Sequence, residues 1–184
     1  MAQVYLFLAN GFEEIEALTP VDLLRRAGIE IQTVSITADR MVTGSHGIAV
    51  EADLTLEEAD FERAQVLVLP GGLPGTTNLG NCLVLTEELK RFAAEERRKV
   101  AAICAAPSVL GQLGLLKGKR AICFPGWEEK LEGAQIEEGA KAVVDGNVIT
   151  SRGMGTAVEF SLALVQELKD RETAEKLAAS IQFV

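Results

Sequence analysis

Aromatic residues are scarce in this chain, 5% of 184, with a single histidine, a single tryptophan and a single tyrosine. A core short of rings must be filled by Val, Ile, Leu and Ala, which suits buried strands covered by helices. Positive charge is scarce too: 18 Lys and Arg against 27 Asp and Glu leave a formal net charge of -9. Lys and Arg are scattered, with a short cluster, "ERRK" at 96–99, read as a solvated helix end, so no nucleic-acid surface is expected. No window approaches the roughly 20 apolar residues of a membrane span, and no membrane partner is expected. The apolar run near the start, "VYLFLA", has no basic segment before it and acids soon after it, which fits a strand and not a signal peptide. The three cysteines, Cys82, Cys104 and Cys123, are odd in number and lack CxxC or Cys/His zinc spacing. Neither a disulfide framework nor a structural metal site is indicated, and a reducing cytoplasm is the expected compartment.

What the chain does have is 48% hydrophobic content, enough for one domain spanning 1–184 with a substantial core. No internal repeat, low-complexity tract or linker interrupts it. Apolar runs predict strands at 4–9, 29–36, 99–104 and 120–124 and a strand running into a glycine turn at 65–72, with hairpins at 42–50 and at 142–151, the latter turning at Asp145-Gly146. Helical patterns fall at 13–27, ending at Gly28, and at 83–97, 106–115, 156–168 and 171–180. Strands alternating with helices predict an α/β sandwich with a mainly parallel sheet and helices on both faces. Ligands collect at the carboxyl ends of such strands, which would gather the loops after Ala9, Leu69 and Ile103 in one crevice.

Cys104 lies in "AAICAAPSVLG", where a strand gives way to a helix among small residues. A sharp strand-to-helix elbow crowds its neighbours, and Ala101, Ala102, Ala105 and Ala106 supply the room it needs. The amides that follow and the positive helix end would favour a thiolate there. Equally, a free cysteine is often one more small buried hydrophobe. Glu13 and Glu14 are explained by compensation of a helix dipole. Glu16 lies among Ile15, Ala17 and Leu18, on a face that should pack inward, and burial would raise its pKa and make it a proton donor; a solvated helix acid is the alternative. The glycine pair Gly71-Gly72 lacks the spacing of a phosphate loop. It is either a tight turn or a close backbone approach, with the Gly72 amide joining that of Ala105 as an oxyanion hole. His46, in the polar "TGSHG", is expected in a surface turn, while Cys82 and Cys123 are expected to pack.

Taken together, "GFEEIEALTPVDLLRRAG", "VLVLPGG", "AAICAAP", "FPGWEEKL" and "ITSRGMGTAVEFSLALV" resemble the ThiJ/PfpI superfamily, in family order over nearly the whole chain. The nearest branch is that of the human parkinsonism-associated protein and its bacterial relatives. The resemblance implies a flavodoxin-like three-layer sandwich, related to class I glutamine amidotransferases, and a homodimer. It implies Cys104 as elbow nucleophile with Glu16 as its protonated partner, the amides of Gly72 and Ala105 facing the reactive centre, and Gly71, Phe124 and Arg152 about the pocket. Arg152 would have a structural or anion-contacting role. Members are described as glutathione-independent glyoxalases acting on methylglyoxal-type aldehydes, as deglycases of glycated substrates, and as oxidation-sensing chaperones. No metal or organic cofactor is implied. Several members carry a histidine in the motif matched by "CFPGW", where this chain has Phe124, which argues against protease-type or amidotransferase-type chemistry. An aldehyde needs only a thiolate and a proton-shuttling carboxyl.

Overall fold

The side chains of Val4–Leu8 alternate between two faces, and none of them reaches solvent. A strand buried on both sides needs cover on both sides. This one, β1, lies inside a seven-stranded sheet in the computed structural model, which describes residues 4–183. The outermost residues of the expected 1–184 domain, 1–3 and 184, fall outside that range. Val4, Leu6 and Leu8 join one core layer, which is closed by α1 (Glu14–Arg26), α5 (Ala157–Leu168) and α6 (Arg171–Ser180). Tyr5 and Phe7 join the other, closed by α2 (Gly75–Asn81), α3 (Leu83–Ala94) and α4 (Pro107–Gln112).

The remaining strands of the main sheet are β2 (Ile31–Ser35), β5 (Leu54–Thr55), β6 (Val66–Leu69), β7 (Lys99–Ile103), β10 (Ala142–Asp145) and β11 (Val148–Ser151). Their order is β10-β11-β7-β6-β1-β2-β5, and every neighbouring pair is parallel except β10 with β11. The result is a flavodoxin-like α/β three-layer sandwich. From β1 the chain moves outward to β2 and β5, then returns to the other side of β1 as β6. The direction of winding therefore reverses between β1 and β6, and a ligand crevice is expected outside the carboxyl ends at that point.

Two antiparallel strands, β3 (Met41–Thr43) and β4 (Ala49–Glu51), form the expected hairpin, and its loop docks on the β1–α1 connection through Ser45 N–H to Phe12 O at 2.7 Å. The hairpin of β10 and β11 turns through Gly146 at φ +61°, as the Asp-Gly pair predicts. Gly28 ends α1 at φ +70°. Two expectations need correction. The run at 120–124 is a strand only over β8 (Arg120–Ala121), paired with β9 (Gln135–Ile136) outside the main sheet. Beyond it, Ile122 N–H donates to Thr150 Oγ1 at 3.0 Å and Phe124 N–H to Cys104 O at 2.8 Å, so the chain bends across the end of β7. The expected run at 65–72 is a strand to Leu69 and then the glycine turn, which leads toward α1. The helix expected at 106–115 is only six residues long.

Candidate active site

The loops after β1 and β6 interlock, and glycine is what permits it. A Cβ on Gly11, at φ +87°, would stand 2.4 Å from Pro74 Cδ, and one on Gly72, at φ +89°, would stand 2.4 Å from Glu13 N. Glu13 N–H donates to Gly71 O at 2.9 Å, and the Glu13 carboxylate caps α1 by accepting from Glu16 N–H at 2.7 Å. This clamp starts α1 so that Glu16, in its first turn, faces inward. Glu16 is 1% exposed. Its Oε2 accepts from Gly71 N–H at 2.9 Å, and the carboxyl also takes the Met154 N–H and a hydrogen bond with the Cys104 thiol.

Cys104 follows the last residue of β7 with φ +66°, a left-handed conformation uncommon outside glycine. Its N–H donates to Ser151 O at 3.0 Å and its carbonyl accepts from Phe124 N–H, so neighbouring segments hold the elbow on both sides. Strain of this kind costs of order 1–3 kcal/mol and persists only where the surroundings fix it. The thiol is half-buried and receives the amides of Ala105 and Gly72. Gly71 closes the arrangement: a Cβ there would lie 2.6 Å from Glu16 Oε2, 2.7 Å from Cys104 Cβ and 3.1 Å from its sulfur. Carboxyl and thiol meet across a position where no larger residue fits.

Burial raises the Glu16 carboxyl to about 7, with the nearby Glu13 charge adding to the effect, while hydrogen bonds from Cys104, Gly71 and Met154 oppose it. Burial also pushes the Cys104 thiol up to about 12, reinforced by the charge of Glu16, against the pull of the Ala105 and Gly72 amides. The sequence expectation that amides and a helix end would favour the thiolate is therefore only half of the balance. The amides are present, but α4 is short, and burial together with the charge of Glu16 outweighs them. Two acids this close titrate as a pair, which releases one proton near neutrality and holds the second to high pH. Near neutrality the carboxyl is the group that titrates, while the thiol keeps its proton.

The other sequence candidates are dispersed. Phe124 is 47% exposed, its ring 3.3 Å from the point where a Cβ on Gly153 would stand, with Glu16 Oε1 4.0 Å from that same point. Arg152 is exposed and lines a neighbouring hollow of about 320 Å³ with Cys123, Glu128 and Glu138; among the described residues no hydrogen bond or ion pair engages it, and it does not touch the pair. Cys123 is buried and its thiol is pushed up to about 11 by burial and the Glu128 charge. Cys82 is half-buried at the start of α3. His46 is exposed, as a surface turn predicts, but it is bonded through Nδ1 to Glu14 at 2.8 Å. Glu14 itself departs from the dipole explanation: it is 3% exposed and accepts from the His46 backbone as well as its ring. Glu13, Glu14 and His46 bring ligand atoms within 4.8 Å of one another, yet Glu13 already accepts from Glu16 N–H and Glu14 is already bonded to His46. Sequence reasoning missed the Met154 amide and Gly153, since a backbone donor leaves no side-chain signature.

The family model described as "DJ-1/PfpI family" matches residues 2–167. The chain is 38% identical over 181 residues to the Parkinson disease protein 7 homolog of Danio rerio, covering 96% of this chain and 94% of that one. It is 32% identical over 169 residues to a deglycase of Pyrococcus abyssi, covering 91% and 99%. Against protein DJ-1 homolog B of Arabidopsis thaliana it is 35% identical over 97% of its own length, but it spans only 41% of that longer protein. Among solved structures, oxidized Toxoplasma gondii DJ-1 superposes with a TM-score of 0.94 at 34% identity, each chain covered in full. A buried carboxyl against an elbow cysteine, on this sheet order and over this length of match, makes the chain a member of the DJ-1/PfpI family.

Proposed function

We propose that this protein is a cysteine-dependent small-carbonyl enzyme, a glutathione-independent glyoxalase or deglycase acting on methylglyoxal-type 2-oxoaldehydes or their adducts. The observation that carries the proposal is the Cys104 thiol placed to give its proton to the buried Glu16 carboxyl, beneath the amides of Gly72 and Ala105. Moving that proton from sulfur to oxygen creates the nucleophile and the acid in one step. The thiolate adds to the aldehyde carbon, and the oxygen that develops charge is received by the two amides and protonated by Glu16. The Glu16 carboxylate then removes the hydrogen from that same carbon, giving an enediol, and returns it to the neighbouring carbon, while the hydroxyl proton of the first carbon passes to the oxygen of the second. The carbonyl of the second carbon is thereby reduced to an alcohol while the first is oxidised to a thioester. Water cleaves the thioester, its hydroxyl going to the acyl carbon and its proton to sulfur, and the hydroxy acid leaves. No external electron donor is needed.

The name of the Pyrococcus relative supports the deglycase branch of this reading. Turnover of methylglyoxal to lactate tests it, with Cys104→Ala and Glu16→Gln both expected to lose activity while staying folded. Full activity in either variant removes that residue from the mechanism. A second reading rests on the same donors: peroxide oxidation of Cys104 to a sulfinate would place its oxygens against the Gly72 and Ala105 amides and a protonated Glu16. Slow turnover with selective oxidation at Cys104 would favour a redox-sensing or chaperone role.

A further inference from the structure

Large apolar side chains exposed to water need a reason when they cluster. Leu73, Phe124 and Met154 are exposed at 53%, 47% and 55%. Each is tied by its own backbone, or by that of its immediate neighbour, to the carboxyl–thiol pair. Leu73 follows Gly72, whose amide faces the sulfur. Phe124 N–H donates to the carbonyl of Cys104 at 2.8 Å. Met154 N–H donates to Glu16. Three separate loops whose backbones reach the same pair thus each carry an exposed apolar side chain, and the Phe124 ring and Glu16 Oε1 are both within 4.0 Å of a single point above Gly153.

The charge that bears most directly on the pair is negative. The charge acting on Glu16 is that of another carboxylate, Glu13, and Arg152 lines the adjoining hollow with Glu128 and Glu138. An anionic substituent would meet repulsion, and a polyhydroxylated one would give up its water to a surface without partners for it. An alkyl or aryl substituent would bury apolar area on both sides of the contact.

We infer that Leu73, Phe124 and Met154 form an apolar mouth over Cys104 that selects electrophiles bearing an uncharged alkyl or aryl group, with Phe124 the principal specificity-determining residue. This rests on the proposed function only for the identity of the substrates, which are then alkyl and aryl 2-oxoaldehydes in preference to hydroxylated or anionic carbonyls. The mouth itself is independent of turnover.

The test separates the two. Alkylation rates at Cys104, assigned by peptide mapping and by the Cys104→Ala control, are measured with iodoacetamide, N-phenyliodoacetamide and iodoacetate, each divided by its rate with glutathione. The aryl reagent is expected to be favoured by about tenfold or more and iodoacetate disfavoured by a similar factor. Phe124→Ser should bring the aryl preference to within about twofold of the free thiol, and Phe124→Leu should keep part of it. The parallel measurement is kcat/KM for phenylglyoxal, methylglyoxal and hydroxypyruvaldehyde, expected to fall in that order. No aryl preference in the wild type, or the same preference in Phe124→Ser, overturns the mouth even if methylglyoxal is turned over. The preference without turnover of any oxoaldehyde leaves the mouth standing and overturns the proposed reaction.

Discussion

The Glu16 carboxyl and the Cys104 sulfur meet over Gly71, where an added Cβ would stand 2.6 Å from the one and 3.1 Å from the other. Gly71→Ala should therefore push the pair apart without asking the backbone for a forbidden conformation, since Gly71 is not among the positive-φ glycines. The expected cost is about 1–3 kcal/mol of stability from overpacking, and a loss of turnover of about tenfold or more from the broken proton path. Gly80→Ala in α2 is the matched control: its Cβ would meet nothing closer than Val109 Cγ2 at 3.5 Å. Thermal melts and methylglyoxal turnover of the two variants check this, and equal behaviour would refute the contact.

Glu16→Gln should act in opposite directions on two properties. The charge of Glu16 is one of the groups holding the Cys104 thiol near 12, so replacing it with a neutral amide should lower the thiol pKa and speed alkylation above neutral pH. Turnover should nevertheless fall by about a hundredfold or more, because no group remains to take the proton from carbon. Iodoacetamide rates against pH, with kcat measured on the same preparation, give both numbers. A variant that is slower in both assays would point to simple distortion of the site.

Much of this architecture is legible in the sequence because buried parallel strands are written as uninterrupted apolar runs, as in "VYLFL" and "VLVL". Glu16 is legible too, from its place on the inward face of α1. Helix α2 is not, since "GTTNLGN" combines two glycines with residues of low helix propensity and owes its helicity to the packing of Leu79 and Gly75. Strands of two residues, such as β8 and β9, carry no period at all. At the site, the small residues flanking Cys104 announce the elbow, and the amides follow from it. The balance against the thiolate does not, because it depends on the ionisation of Glu16 and on how far both groups are withdrawn from water.

Glu16 should also leave its mark on stability. Its carboxyl titrates near 7 in the folded protein against 4.5 in an unperturbed chain. Between those values the folded state keeps a proton that the unfolded state has released. Stability is therefore full below about pH 4.5 and falls as pH rises through 7, by an amount on the order of 3 kcal/mol for this group alone. Chemical denaturation from pH 4.5 to 8 should show the difference between Glu16→Gln and wild type changing across that window in favour of the glutamine. A constant difference would mean that the carboxyl is not buried as described.

Glu14, two residues away, should behave with the opposite sign. Burial works to raise its carboxyl, but hydrogen bonds from the ring and backbone of His46 prevail and lower it to about 2. Its contribution is present above about pH 4.5 and is lost as pH falls toward 2. The partner histidine is raised above its ordinary value, first by the hydrogen bond to Glu14 and then by its charge, so the imidazolium contributes below about pH 6.5 and ceases to do so as pH rises through its folded value. The pairing should thus be strongest between the two titrations and weaken on either side, which a double-mutant cycle of Glu14→Gln and His46→Gln at pH 3, 5.5 and 9 would measure as a coupling that peaks at the middle pH. Because the same hairpin loop is anchored to Phe12 O through Ser45, loosening it should also raise amide exchange across residues 43–48 while leaving β7 protected. A coupling independent of pH would show that His46 holds Glu14 through its backbone alone.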